Sequence, residues 1–114
     1  MDCVTYPNEC INEKLYKDVA DRFVSDGWKE LGYEYVCIDD CWSEMKRDKD
    51  GNLVPDKTRF PNGIKGLADY VHSKGLKLGL YGDMGHTTCA GYPGLVDSND
   101  STSFFERDTK VIVD

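Results

Sequence analysis

Two short apolar runs, Tyr33-Glu34-Tyr35-Val36-Cys37-Ile38 and Leu76-Lys77-Leu78-Gly79-Leu80-Tyr81, each follow a segment with helical spacing, and this alternation most constrains the fold. Strands separated by a helix cannot close a tight hairpin, so they pair in parallel through a crossover. The first helical segment runs from Asn12 to Leu31, with Leu15, Val19 and Phe23 on one face and Tyr16 and Ala20 beside them. Asn12 suits its N-cap, Glu13 the positive end of its dipole, and Gly27 and Gly32 its exit. Pro61 opens the second, whose Ile64, Leu67, Ala68 and Val71 make an apolar stripe that Gly75 ends. Val111-Ile112-Val113 is a candidate third strand. The predicted class is α/β, with parallel strands and crossover helices. Periodicity does not separate a barrel from an open sheet, but no glycine-rich phosphate loop follows a strand, which counts against a nucleotide site.

Both apolar runs end in acids. Asp39-Asp40-Cys41-Trp42 follows the first, and Asp83 follows the second, with Tyr81 alongside. In a parallel barrel such strand ends share the rim where active sites are built. Adjacent carboxylates on a rigid support hold a polyol, and an aromatic beside them offers an apolar face to a sugar ring. Asp39 and Asp40 are therefore candidate sugar ligands, with Trp42 and Asp83 as candidate pocket walls. The structural alternatives are a polar strand exit for the acids and plain core packing for Trp42 and Tyr81. Asp48-Lys49-Asp50-Gly51-Asn52 reads as a tight turn within a surface excursion; it lacks the glutamate of a calcium loop. His72 falls on the polar side of its helix. His86 has no second ligand at metal spacing, so no metal site is expected. Cys37 reads as an inert, buried thiol.

A net charge of −7 argues against nucleic acid and anionic membranes as partners. No apolar run approaches the roughly 18 residues of a spanning helix, so no membrane insertion is expected, and the N-terminus has no signal-peptide pattern. Five cysteines fit neither a redox nor a zinc pattern, and disulfides are the better reading. Cys3 and Cys10 bracket a Pro7-Asn8 turn and suit a local bridge. Asn99-Asp100-Ser101 is a glycosylation sequon, consistent with an oxidising secretory route.

Several motifs resemble one family. Asp26-Gly27-Trp28, Gly32-Tyr33 through Asp39-Asp40-Cys41-Trp42, Arg59-Phe60-Pro61 with Gly63-Ile64, Tyr70 through Gly79, and Thr88-Cys89-Ala90-Gly91-Tyr92-Pro93-Gly94 are similar to glycoside hydrolase family 27. This is the α-galactosidase and α-N-acetylgalactosaminidase group. The resemblance implies a partial (β/α)8 TIM barrel, with residues 1–114 an incomplete N-terminal part of the catalytic domain. It implies a retaining mechanism, in which one aspartate attacks the anomeric carbon and another serves as acid and then base. Asp39 and Asp40 match the family's sugar-hydroxyl ligands, and Tyr81 its substrate-contacting tyrosine. Cys3 and Cys10 match a local disulfide, while Cys41 and Cys89 match cysteines whose partners lie outside the chain. No cofactor is implied. The implied substrate is a terminal α-linked galactose or N-acetylgalactosamine of a glycoconjugate, the implied location lysosomal or secreted, and the complete enzyme a homodimer.

After Gly94 the sequence departs from the family motifs. Asp114 reaches the nucleophile position only if a small deletion is assumed, and Ile112 then stands where the family has lysine. The first barrel strand would precede Met1 and the acid/base would lie downstream. A closed barrel needs on the order of 250 residues, so the 114-residue chain is expected to be inactive alone. The alternative is a noncatalytic truncated isoform that binds galactose weakly or pairs with a full-length relative.

Overall fold

The computed structural model describes residues 5, 6, 9–97, 104 and 106–109. Its principal elements are α1 (Glu13–Ser25), β1 (Tyr35–Ile38), α2 (Gly63–Ser73) and β2 (Lys77–Leu80). β1 and β2 pair in parallel, with Tyr35 opposite Lys77 and Cys37 opposite Gly79. The ladder continues at both ends, where Lys77 N–H donates to Glu34 C=O at 2.7 Å and Tyr81 N–H to Ile38 C=O at 3.0 Å. The expected parallel crossover is therefore present.

Each element is shorter than its sequence pattern. Asn12 caps α1 by accepting the Leu15 N–H at 2.8 Å, but the helix stops at Ser25 rather than reaching Leu31. Gly27 follows with a left-handed φ of 83°, and the Lys29 N–H folds back to Phe23 C=O at 2.8 Å. Tyr33 spends its N–H on Trp28 C=O within this turn, so β1 begins at Tyr35 instead. Pro61 lies in the turn before α2, where Gly63 N–H donates to Phe60 C=O at 2.9 Å. Asn62 makes no side-chain cap; its amide instead donates to both Glu13 oxygens at 3.1 Å.

The helices pack on one side of the sheet. Val36 and Ile38 of β1 join Tyr16, Ala20, Phe60, Leu67, Val71, Leu76 and Trp42 in one buried cluster. α1 touches both β1 and α2, so its deepest residues are Tyr16 and Ala20, with Val19 and Phe23 only partly buried. Tyr70 Oη donates to Asp21 Oδ1 at 2.6 Å, and Lys74 pairs with the same carboxylate at 3.3 Å, joining the two helices at the surface.

Strand alternation corrects the expectation for Cys37. Val36 and Ile38 face the helices, so Tyr35 and Cys37 lie on the opposite face and are exposed among the described residues of these 114. Cys37 covers its cross-strand partner: a Cβ on Gly79 would sit 2.9 Å from the Cys37 Sγ.

The Asp48 turn forms as predicted. Asp48 Oδ1 accepts the N–H groups of Asp50 and Asn52 at 2.9 and 2.8 Å, and these bonds, the Asn52 one foremost, hold its carboxyl below the usual range. Residues 106–109 are helical. The candidate strand Val111–Val113 lies outside the described residues.

Leu67 is fully buried between α2 and the sheet. In the protein that contains this sequence, Leu67→Ala is expected to cost about 2–5 kcal/mol, read as a lower urea midpoint with an unchanged slope. A midpoint equal to the parent's would show that this cluster does not hold the domain together.

Candidate functional site

The end of β1 is fixed from below by α1. The Asp39 N–H donates to the Tyr16 hydroxyl at 3.1 Å, and burial, its main cause, raises the pKa of that phenol. The chain then turns sharply. Asp40 N–H donates to Asp39 Oδ1 at 2.7 Å, and Cys41 N–H to Asp40 Oδ1 at 2.7 Å. Cys41 takes a left-handed φ of 71°, a conformation costing about 1–3 kcal/mol outside glycine. Strain of this kind persists only where surrounding contacts impose it. Here the second Asp40 oxygen accepts the Ala90 N–H at 3.0 Å, from the loop that follows β2. Asp39 is exposed and Asp40 half-buried, so both carboxylates open toward solvent on firm backbone supports.

The end of β2 lies alongside. Trp42 is buried in the core cluster, and its indole N–H donates to Tyr81 C=O at 2.9 Å, tying the two strand exits together. The Tyr81 hydroxyl reaches Asp83 Oδ2 at 3.4 Å, and Asp83 Oδ1 accepts the Gly85 N–H at 2.7 Å. Partial burial, then the neighbouring Cys89, Asp83 and Asp40, push the Tyr81 phenol up to about 12. It remains a hydrogen-bond donor across the neutral range. Burial foremost, with Asp40 beside it, also raises the buried Cys41 thiol.

Asp39, Asp40, Tyr81 and Asp83 thus converge on the exits of two adjacent strands, with Trp42 beneath them. Cys41 and Cys89 are free thiols within this chain, and Cys89 is exposed. Cys10 is disulfide-bonded; its expected partner Cys3, the sequon Asn99 and the candidate nucleophile Asp114 lie outside the described residues. His72 and His86 are exposed. Among the described residues no group of three or more His, Cys, Asp or Glu side chains is arranged to hold a metal.

Residues 1–112 match the family described as Alpha galactosidase A. The chain belongs to this family. The match continues well past Gly94, where the recognisable motifs end. Over 94 residues the chain is 58% identical to the α-N-acetylgalactosaminidase of Gallus gallus, covering 82% of this chain and 23% of that one. Over 114 residues it is 51% identical to the α-galactosidase A of Homo sapiens, covering 100% of this chain and 25% of that one. The solved α-galactosidase from Saccharomyces cerevisiae with raffinose superposes with a TM-score of 0.72 at 44% identity, over 82% of this chain and 20% of that one. The chain spans about a quarter of the length of these relatives. Its helices and parallel strands are a partial piece of the α-galactosidase (β/α)8 barrel.

Three supports of this candidate site escape sequence reading. Tyr16 reads as an ordinary helix-face aromatic, yet its hydroxyl anchors Asp39. The Ala90 amide has no side-chain signal at all. Gly94 stands out only as the last residue of a motif, yet a Cβ there would meet the Gly85 carbonyl oxygen at 2.1 Å.

The raised Tyr81 phenol gives a direct optical test. In the folded protein one tyrosine is expected to ionise near pH 12, and Tyr81→Phe to remove that component of the phenolate absorbance. Because the folded pKa lies above the unfolded value, Tyr81's contribution to stability is intact below about pH 10 and is lost as the pH rises toward 12. An unchanged titration curve in Tyr81→Phe would contradict this placement.

Proposed function

We propose that residues 1–114 are the N-terminal part of the catalytic domain of a retaining glycoside hydrolase, and that this part binds the glycone. The substrate is a terminal α-linked galactose or N-acetylgalactosamine of a glycoconjugate. Asp39 and Asp40 accept hydrogen bonds from adjacent sugar hydroxyls, and the Tyr81 hydroxyl, protonated at working pH, supplies a further contact. The observation that carries this reading is the geometry of the carboxylate pair. Asp40 is held by the Cys41 and Ala90 amides, while Asp39, anchored through Tyr16, presents its carboxylate to solvent.

Charge-assisted hydrogen bonds donated by sugar hydroxyls to two fixed carboxylates orient a sugar ring more strongly than bonds to neutral groups can. Neither aspartate performs the bond-breaking steps. In a retaining reaction one further carboxylate attacks the anomeric carbon as the leaving oxygen takes a proton from a second, and water then releases the sugar. Family membership and the relatives' names support this chemistry, which requires no cofactor. The protein is proposed to be lysosomal or secreted and to work as a homodimer; the sequon Asn99-Asp100-Ser101 suits a secretory route.

In the active protein that contains this sequence, Asp39→Asn and Asp40→Asn are each expected to lower kcat/KM for an aryl α-galactoside or aryl α-N-acetylgalactosaminide about 10- to 150-fold, the loss of a hydrogen bond to a charged group. The inhibition constant for free galactose or N-acetylgalactosamine should rise in parallel. Values within threefold of the parent for both variants would remove these aspartates from the glycone site.

A further inference from the structure

Arg47 lies in the polar excursion between β1 and α2. Its side chain is only 11% exposed, and its guanidinium is heavily engaged. Nη1 donates to Gly51 C=O at 2.9 Å and to Asp108 Oδ1 at 2.8 Å. Nη2 donates to Gly94 C=O at 2.9 Å and to Asp108 Oδ2 at 2.7 Å. The group also stacks 3.9 Å from the Phe104 ring centroid. Exposed ion pairs contribute little, but a bidentate, stacked guanidinium with a 4% exposed carboxylate partner fixes geometry in a way lysine cannot.

The bond to Gly94 bears on the site. One peptide unit, Gly94–Leu95, is gripped from both sides: its C=O accepts from Arg47, and its N–H donates to Asp83 C=O at 2.9 Å. Gly94's own N–H donates to His86 C=O at 2.9 Å. The close approach of Gly85 and His86 leaves no room for a side chain at position 94, so this loop has little slack. The same loop carries the Asp83 carboxylate that meets Tyr81 and the Ala90 amide that meets Asp40.

We propose that Arg47 is a positioning residue of the glycone site: by clamping the Gly94–Leu95 peptide it sets the loop whose Asp83 carboxylate orients the Tyr81 hydroxyl. This role rests on the function proposed above. Asp108 serves it by anchoring the guanidinium.

The test is a double-mutant cycle in the active protein that contains this sequence, with an aryl α-galactoside or aryl α-N-acetylgalactosaminide as substrate. Arg47→Lys should raise KM about tenfold with kcat within about threefold of the parent, and the KM penalty should shrink to about threefold or less in a Tyr81→Phe background. A second cycle with Asp108→Asn, which keeps the fork to Gly94 but loosens its anchor, should show a smaller penalty, about threefold, that vanishes in the same background. Equal KM penalties in both backgrounds, from either variant, would mean general loosening and overturn the proposal. So would a parental KM in Arg47→Lys. If Asp39→Asn and Asp40→Asn also keep parental KM, the glycone reading itself fails; if they do not, only the role of Arg47 does.

Discussion

Val36 and Ile38 project from the same side of a four-residue strand into the layer formed by α1 and α2, and both are 2% exposed. The rest of the structure depends on this burial. Each fully buried aliphatic side chain contributes about 1.5–3 kcal/mol, and a one-residue slip would turn both into solvent. The register with β2 is therefore fixed, and so is the opposite face. Because side chains alternate, Cys37 must face away from the helices, Gly79 must lie beneath it, and the chain must emerge at Asp39 beside the exit at Tyr81.

The site is built mainly from backbone donors. Asp39 is anchored through its own N–H, and Asp40 through the Cys41 and Ala90 amides, with a left-handed Cys41 between the sheet and the excursion. Amide donors carry no formal charge, so they orient the two carboxylates without pairing them with a cation. Lysine or arginine partners would compete with a ligand for the same oxygens. The cations that do structural work stand elsewhere. Arg47 binds the excursion, the loop after β2 and the helical residues 106–109 into one body.

Much of the fold was legible in the sequence because it rests on periodic burial. The four-residue spacing of Leu15, Val19 and Phe23, with Tyr16 and Ala20 beside them, and the stripe of Leu67 and Val71 mark the apolar sides of the helices, though packing buries Tyr16 and Ala20 deepest, and helices between strands enforce parallel pairing. The ends of elements were less legible. α1 stops six residues before Leu31 and β1 starts two after Tyr33, because competing turn hydrogen bonds from Lys29 and Tyr33 to Phe23 and Trp28 claim the backbone. Periodicity carries no record of such competition.

Asp39 and Asp40 were recognisable as site residues because a strand running into two acids is a local event, written in consecutive letters. Their supports come from 23 and 50 residues away, through Tyr16 and Ala90. The clamp on the Gly94–Leu95 peptide comes from 47 residues away, through Arg47. By itself the sequence determined an α/β chain with parallel strands and an acidic strand exit, since hydrophobic patterning and neighbouring residues suffice for those. Only the tertiary structure decided which amides hold the carboxylates, which face exposes Cys37, and which arginine locks the rim, because hydrogen-bond partners are set by proximity in space and no local spacing encodes it.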